Sequence, residues 1–410
     1  MGTGDAVVVG LGAMLGAGVF AALSPAARAA GSGLLISLCL AGIVAYCNAT
    51  SSARLAALYP ESGGTYVYGR RRLGPFWGYL AGWAFVVGKT ASCAAMALTF
   101  ASYAAPGFAR LAGALAVVAL TALGCFGVQR SAAATRVIVA VVLAVLAVVV
   151  IACLFGGTAS VDHLRPFPGS SAYGVLQAGG LLFFAFAGYA RIATLGEEVR
   201  DPARTIPRAI GVALAITLVA YLLVDVSALL AVGAPELAAS PAALQHAVAA
   251  SSLHALAPVV RVGAAVAALG SLLALLLGVS RTTLAMARDR FLPTQLSTIA
   301  ARHGVPARAE VAVGAVVLVL VLTTDLRGAI GFSSFGVLAY YGIANASAWT
   351  LRADERRPPR WIPVLGVLGC AVLAVSLPWV AAVTGAAVLV LGALLYPVLR
   401  ARVTSSRDSG

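Results

Sequence analysis

Apolar residues in this chain come in long runs, and such runs have few places to go. A strand of a membrane barrel alternates apolar and polar residues over about 10 positions, whereas a helix needs about 20 mainly apolar ones to cross a bilayer. The runs here have the helical length. Twelve spans are expected, at 6–30, 33–58, 76–105, 108–127, 134–155, 173–196, 207–232, 257–287, 309–324, 329–351, 362–378 and 380–400. In 410 residues this leaves short loops and no room for a soluble catalytic domain. Composition points the same way: 61% of residues are hydrophobic and 10% charged, where an ordinary soluble domain has about 45–50% and about 25%. The sequence predicts an all-α polytopic membrane protein, a single transmembrane domain over 1–410. The first run starts a few residues after Met1 with no basic segment or cleavage site before it, so it reads as span 1 and not as a signal peptide.

A net charge of +14 raises the question of nucleic acid, and the placement of the charge answers it. With the N-terminus in the cytoplasm, the outer segments hold Arg28, Arg110, Arg165, Arg261 and Arg327, Lys89 lies inside a span, and all other basic residues fall on the inner side. That asymmetry is the positive-inside rule for an even number of spans with both termini cytoplasmic, in a cytoplasmic (inner) membrane. The basic charge sets topology, and no nucleic-acid partner is expected. The cysteines at 39, 47, 93, 125, 153 and 370 all fall in predicted helices without a C-x-x-C pair, and no H-E-x-x-H occurs, so no metal centre or cofactor is expected.

Two soluble motifs nearly match and are rejected. Val7-Val-Val-Gly10-Leu-Gly12-Ala-Met-Leu-Gly16 resembles a strand entering a dinucleotide loop, but its third glycine comes one position late and residues 30–40 hold no acid for a ribose. Gly82 and Gly88-Lys89-Thr90 resemble a phosphate loop with one residue too many between the glycines. Both lie in runs long enough to span a bilayer.

Glycine says more when read as backbone chemistry. Leu15-Gly16-Ala17-Gly18-Val19 falls at the middle of span 1, and Phe183-Phe184-Ala185-Phe186-Ala187-Gly188-Tyr189 at the middle of span 6. Glycine lowers the cost of leaving helical geometry. At bilayer depth an unwound stretch is tolerated only where it lines a cavity or is buried in protein. It exposes N–H groups at one half-helix end and carbonyls at the other, which suit a carboxylate and an ammonium group respectively. The alternative is that these small residues merely let helices pack closely. Breaks five spans apart divide the chain into 6–155 (spans 1–5) and 173–351 (spans 6–10), related as an inverted repeat, with 362–400 (spans 11 and 12) outside it.

Several segments together resemble the amino acid–polyamine–organocation transporter superfamily, with its LeuT-like 5+5 fold. They are Gly12-Ala-Met-Leu-Gly-Ala-Gly-Val-Phe20 in span 1, Tyr59-Pro-Glu-Ser-Gly-Gly-Thr-Tyr-Val-Tyr68 followed by Gly74-Pro-Phe-Trp-Gly-Tyr-Leu-Ala-Gly-Trp83, Gly196-Glu-Glu-Val-Arg-Asp-Pro-Ala-Arg-Thr-Ile-Pro-Arg208, and Ser280-Arg-Thr-Thr-Leu-Ala-Met-Ala-Arg-Asp289. The resemblance covers 6–400. It implies discontinuous spans 1 and 6 and a substrate whose carboxylate sits on the span 1 break while its amine meets carbonyls of both. Carried over by position, the substrate-binding residues are Met14, Gly16, Ala17, Gly18, Phe184, Ala187 and Gly188, with Phe184 at the place of a gating aromatic. Ala17 departs from the family, where serine is frequent. Leu275 would line the side-chain pocket, and Ser271 is the one hydroxyl placed on span 8 for sodium coupling.

Lys89 is the only lysine in the chain and lies near the middle of span 3. A charge at that depth costs about 2.5–3.5 kcal/mol on insertion scales, and a lysine, unlike an arginine, can release its proton there. By resemblance it falls close to the substrate pocket, where it could bind a substrate carboxylate or carry a coupling proton; the structural alternative pairs it with a carbonyl or with Asp225. Relatives that carry a lysine on span 5 in place of sodium differ here, since span 5 has none. The expected function is secondary active transport of amino acids or related amines by alternating access, coupled to protons (or Na+) or working by exchange. A membrane sensor that binds such a ligand without moving it is the alternative. An intramembrane enzyme is discounted, because no nucleophile–base pair, metal cluster or carboxylate pair stands out.

Overall fold

A computed structural model describes residues 1–61, 63–127, 132–196, 198–300 and 304–405. Ser62, Arg130, Glu197, Arg302 and Arg407, which belong to the motifs and charge pattern above, lie outside the described residues. Within them the chain is helical and contains no strand, only one isolated bridge between Ala300 and Val305.

Span 1 is two helices, α1 (Thr3–Met14) and α2 (Gly18–Ala30). A single turn, Gly31–Gly33, turns the chain into α3 (Leu34–Leu58). A short basic helix, α4 (Thr65–Arg72), precedes α5 (Pro75–Ala104), which starts with Pro75 in its first turn, where a missing N–H costs nothing. Next come α6 (Ala109–Cys125) and α7 (Ala132–Phe155). Span 6 is α8 (Ala172–Phe186) and α9 (Ala190–Ala193), and Ser171 caps α8 by accepting the Gly174 N–H at 3.1 Å. The rest of the chain forms α10 (Pro202–Ala239), α11 (Ala243–Ala249), α12 (Ala257–Arg288), α13 (Ala307–Thr323), α14 (Leu326–Trp349), α15 (Trp361–Ser376) and α16 (Trp379–Ser405).

Eight of the helical stretches are long and apolar enough to cross a membrane, fewer than the twelve runs of the sequence. The difference has local causes. The tight turn at Gly31–Gly33 lets α2 and α3 run on as one stretch, Gly18–Leu58. Helices α13 and α15 have only 17 and 16 residues. Helix α14 is long enough, but it carries Ser333, Ser334, Asn345 and Ser347, all fully buried.

Burial separates core from wall. In the apolar window of α5, 78% of residues are buried, and in α8–α9 83%, against 17% in α6 and in α16. The outer wall shows Leu111, Leu115, Val383 and Leu394, an apolar surface that water would penalise and lipid would not. Inside, Ser51 donates to Asn345 Oδ1 at 2.7 Å and the Asn345 amide donates to Asn48 Oδ1 at 2.6 Å, which links α3 to α14, while Asn48 Nδ2, Ser52 and Ser334 stay buried without a partner among the described residues.

The helix ends sort into two faces. At one, the Arg200 N–H donates to Met1 O at 3.0 Å, Tyr66 donates to Asp289, and Arg72 and Arg136 pair with Glu355 and Asp5. The Arg72 guanidinium holds the carboxyl of Glu355 below the ordinary range. At the other face Arg28 donates to Ala238 O at 2.9 Å and Arg261 to Tyr103 O at 2.7 Å.

Candidate functional site

The first break follows from an ordinary helix whose ladder stops. The Leu15 N–H still reaches Leu11 O at 2.7 Å, then Leu15, Gly16 and Ala17 leave the helix, and the ladder resumes with the Ala21 N–H on Ala17 O at 2.9 Å. The space beside Gly16 is tight: a Cβ on it would lie 1.9 Å from the rotatable Ser271 Oγ, 3.2 Å from Ser271 Cβ and 3.3 Å from Gly12 O. Ala17 stands at the N-cap of α2 with no side-chain cap, so the first N–H groups of α2 keep no side-chain acceptor.

The second break is milder than a full unwinding. Helix α8 ends at Phe186, and Ala187–Tyr189 tightens into a single 3-10 turn before the four residues of α9. The tightening reflects contact. A Cβ on Gly188 would lie 2.3 Å from Ala13 O and 2.7 Å from Met14 N, so the backbone of the second break rests directly on the end of α1. Gly18, at the start of α2, meets Ala185 of α8 as closely. The two interruptions thus meet each other.

Bare carbonyls are expected at such breaks, and in the structure they are met by side chains. Tyr221 of α10 directs its hydroxyl to Met14 O at 2.6 Å and to Ala185 O at 3.1 Å. Tyr341 of α14 donates to Ala187 O at 3.2 Å, and Lys89 Nζ of α5 donates to the same oxygen at 3.3 Å. A polar group in a water-free interior must find a partner or be expensive, and the freed carbonyls and these three donors satisfy one another. Among the described residues no ion pair joins Lys89 to Asp225, which lies one turn beyond Tyr221 and is buried.

The structure therefore brings together Met14, Gly16, Ala17, Gly18, Ala187, Gly188, Lys89 and Ser271. Phe184 is buried in the last turn of α8, beside Phe183 and Phe186. Phe186 makes an edge contact with Tyr221 at 5.2 Å, and Phe183 with Tyr341 at 5.9 Å. Leu275 is half-buried one turn beyond Ser271 on α12 and packs on the core. Arg191 is exposed on α9 and donates to Thr194 Oγ1 at 3.4 Å. An apolar groove between α3, α10 and Trp361 lies on the outer surface, away from the breaks.

Tyr221 and Tyr341 were not singled out from the sequence. The signal was present: each puts a hydroxyl inside a predicted span, where water cannot serve it. What could not be read was which carbonyl each would serve.

Comparison with known proteins places the chain in a family. The amino acid permease family profile matches residues 5–407. An uncharacterized transporter of Mycobacterium tuberculosis is 62% identical over all of this chain and 94% of its own length. A branched-chain amino acid permease of Bacillus subtilis is 26% identical over 97% of this chain and 92% of its own. A vacuolar cationic amino acid transporter of Arabidopsis thaliana is 30% identical over 86% of this chain and 60% of its own length. The family is one of transporters and not of enzymes. The chain is a multi-pass helical membrane protein that belongs to the amino acid permease family, within the amino acid–polyamine–organocation superfamily.

Proposed function

We propose that the protein is a secondary active transporter of amino acids or related amines that works by alternating access, with the contact of the two breaks as its substrate site. The observation that carries this reading is the approach of Gly188 to Ala13 and Met14. It joins the uncapped start of α2, a site for a carboxylate, to carbonyls at the ends of α1 and α8, a site for an ammonium group. Gly16, Ala17 and Gly18 serve the first role, Met14, Ala187 and Gly188 the second, with Phe184 as the gating aromatic and Leu275 toward the substrate side chain. Lys89 and Ser271 are the coupling candidates, Lys89 for a proton and Ser271 for Na+.

In this reading the chain has twelve spans, α1–α7 and α8–α14 supply the two halves of a LeuT-like 5+5 inverted repeat, and α15 and α16 stand outside it. The face that carries Met1, Arg72 and Asp289 is cytoplasmic, in keeping with the positive-inside rule. Relatives that carry branched-chain or cationic amino acids support amino acids as the substrate class without choosing a side chain.

Uptake of a labelled amino-acid panel into proteoliposomes, with and without a pH or Na+ gradient, tests the reading. Uptake of at least one amino acid that unlabelled amino acid suppresses is expected. Absence of uptake, exchange and binding across the panel would end it, and binding without flux would select a sensor.

A further inference from the structure

The carbonyl that the proposed substrate amine needs is already taken by an amine of the protein. Lys89 is 7% exposed, and its Nζ lies 3.3 Å from Ala187 O. Among the described residues it forms no ion pair with a carboxylate. Ala187 caps the C-terminal end of α8, where the aligned peptide dipoles favour a cation. Tyr341 donates to the same oxygen at 3.2 Å. With two side-chain donors already on this oxygen, an incoming ammonium must displace one of them.

The two donors differ in freedom. The ring of Tyr341 is stacked on Tyr189 at 4.8 Å and edge-on to Phe183 at 5.9 Å, which holds it in place. The amine of Lys89 hangs on a flexible four-carbon stem. Its backbone is pinned, because a Cβ on Gly88 would lie 3.2 Å from the Cα of Gly336 in α14. What can move is the side chain alone.

We infer that Lys89 is a tethered stand-in for the substrate's ammonium group: its Nζ fills the Ala187 carbonyl in the empty carrier and gives it up when an amino acid binds. This rests on the proposed amino-acid site and adds to it a consequence for the transport cycle. A carrier whose helix ends are satisfied only by substrate cannot easily change sides when empty, and is held to exchange. With its own ammonium at the break, this carrier crosses empty as well as loaded and performs net transport.

The test uses the full chain in proteoliposomes and an amino acid that the wild type moves. Net uptake into empty vesicles is compared with exchange into vesicles preloaded with the same unlabelled amino acid. Wild type is expected to do both. Lys89→Met is expected to lower net uptake about tenfold more than it lowers exchange, the scale of one cation at a partly buried helix C-terminus. In Lys89→Ala, propylammonium in both compartments is expected to restore net uptake. A wild type that only exchanges, or variants whose net uptake and exchange fall together or not at all, would overturn the inference.

A second measurement does not depend on a folded variant. Because Lys89 is the only lysine, selective 15N-lysine labelling gives one side-chain resonance. It is expected to shift on addition of the transported amino acid and to stay unmoved with its N-acetyl form. A resonance unmoved by the amino acid would overturn the inference. A wild type that neither binds nor moves any amino acid would instead refute the substrate site on which it rests.

Discussion

Tyr221 Oη lies 2.6 Å from the carbonyl oxygen of Met14, across 207 residues of sequence, and 3.1 Å from that of Ala185. One hydroxyl on α10 thereby holds the end of α1 against α8 at the level where both spans lose their regular geometry. In the proposed reading the Met14 carbonyl also belongs to the amine site.

Tyr221→Phe removes the hydroxyl and keeps the ring. The one proton shared between the Met14 and Ala185 oxygens is then lost, and an unsatisfied buried group costs about 1–3 kcal/mol. The expected outcome is a lower melting temperature in detergent, with transport reduced more than expression. A variant with wild-type stability and flux would show that Tyr221 is a spectator.

Gly188→Ala places a methyl group 2.3 Å from Ala13 O. That atom is backbone, so relief requires the two breaks to separate. Overpacking of this kind costs about 1–3 kcal/mol. Uptake is expected to fall below detection while the protein still purifies as a folded species. Gly211→Ala, at a helical glycine with nothing near its Cβ, is the control and is expected to behave as wild type.

The substrate carboxylate should matter more than the side chain. If the start of α2 binds it, amino acid amides and methyl esters lose a charge-assisted hydrogen bond worth about 1.5–3 kcal/mol. Thermal stabilisation by the parent amino acid should then require at least about tenfold less ligand than stabilisation by its amide or ester. Equal stabilisation by all three would place the carboxylate elsewhere.

The pair between Arg72 and Glu355 ties α4 to the segment between α14 and α15. Arg72 lowers the Glu355 carboxyl below its ordinary value of 4.5. A carboxyl depressed in the folded state adds stability above its unfolded value and loses it as pH falls through the folded one. The difference in melting temperature between wild type and Glu355→Gln should therefore be present at about pH 7 and shrink toward zero at about pH 3. A difference that grows on acidification would contradict the pair's assigned sign.

Much of the candidate site is legible in the chain because it depends on local chemistry. Breaks were expected at Gly16–Gly18 and at Ala187–Gly188, and the helices are interrupted at Leu15–Ala17 and tightened at Ala187–Tyr189. A glycine's freedom, and the length of an apolar run, are properties of a few consecutive residues. The number of spans is harder to read from apolar length, since α13 and α15 are short and α14 hides buried serines that lower its apolarity.

What only the tertiary structure decided is who serves the broken ends. Lys89 meets Ala187 across 98 residues and Tyr341 meets it across 154. No periodicity or motif records such pairings, because they depend on how α5, α10 and α14 pack around the breaks. In a medium without water each exposed carbonyl must find some donor. That requirement is written in the sequence, whereas the identity of the donor follows from packing alone.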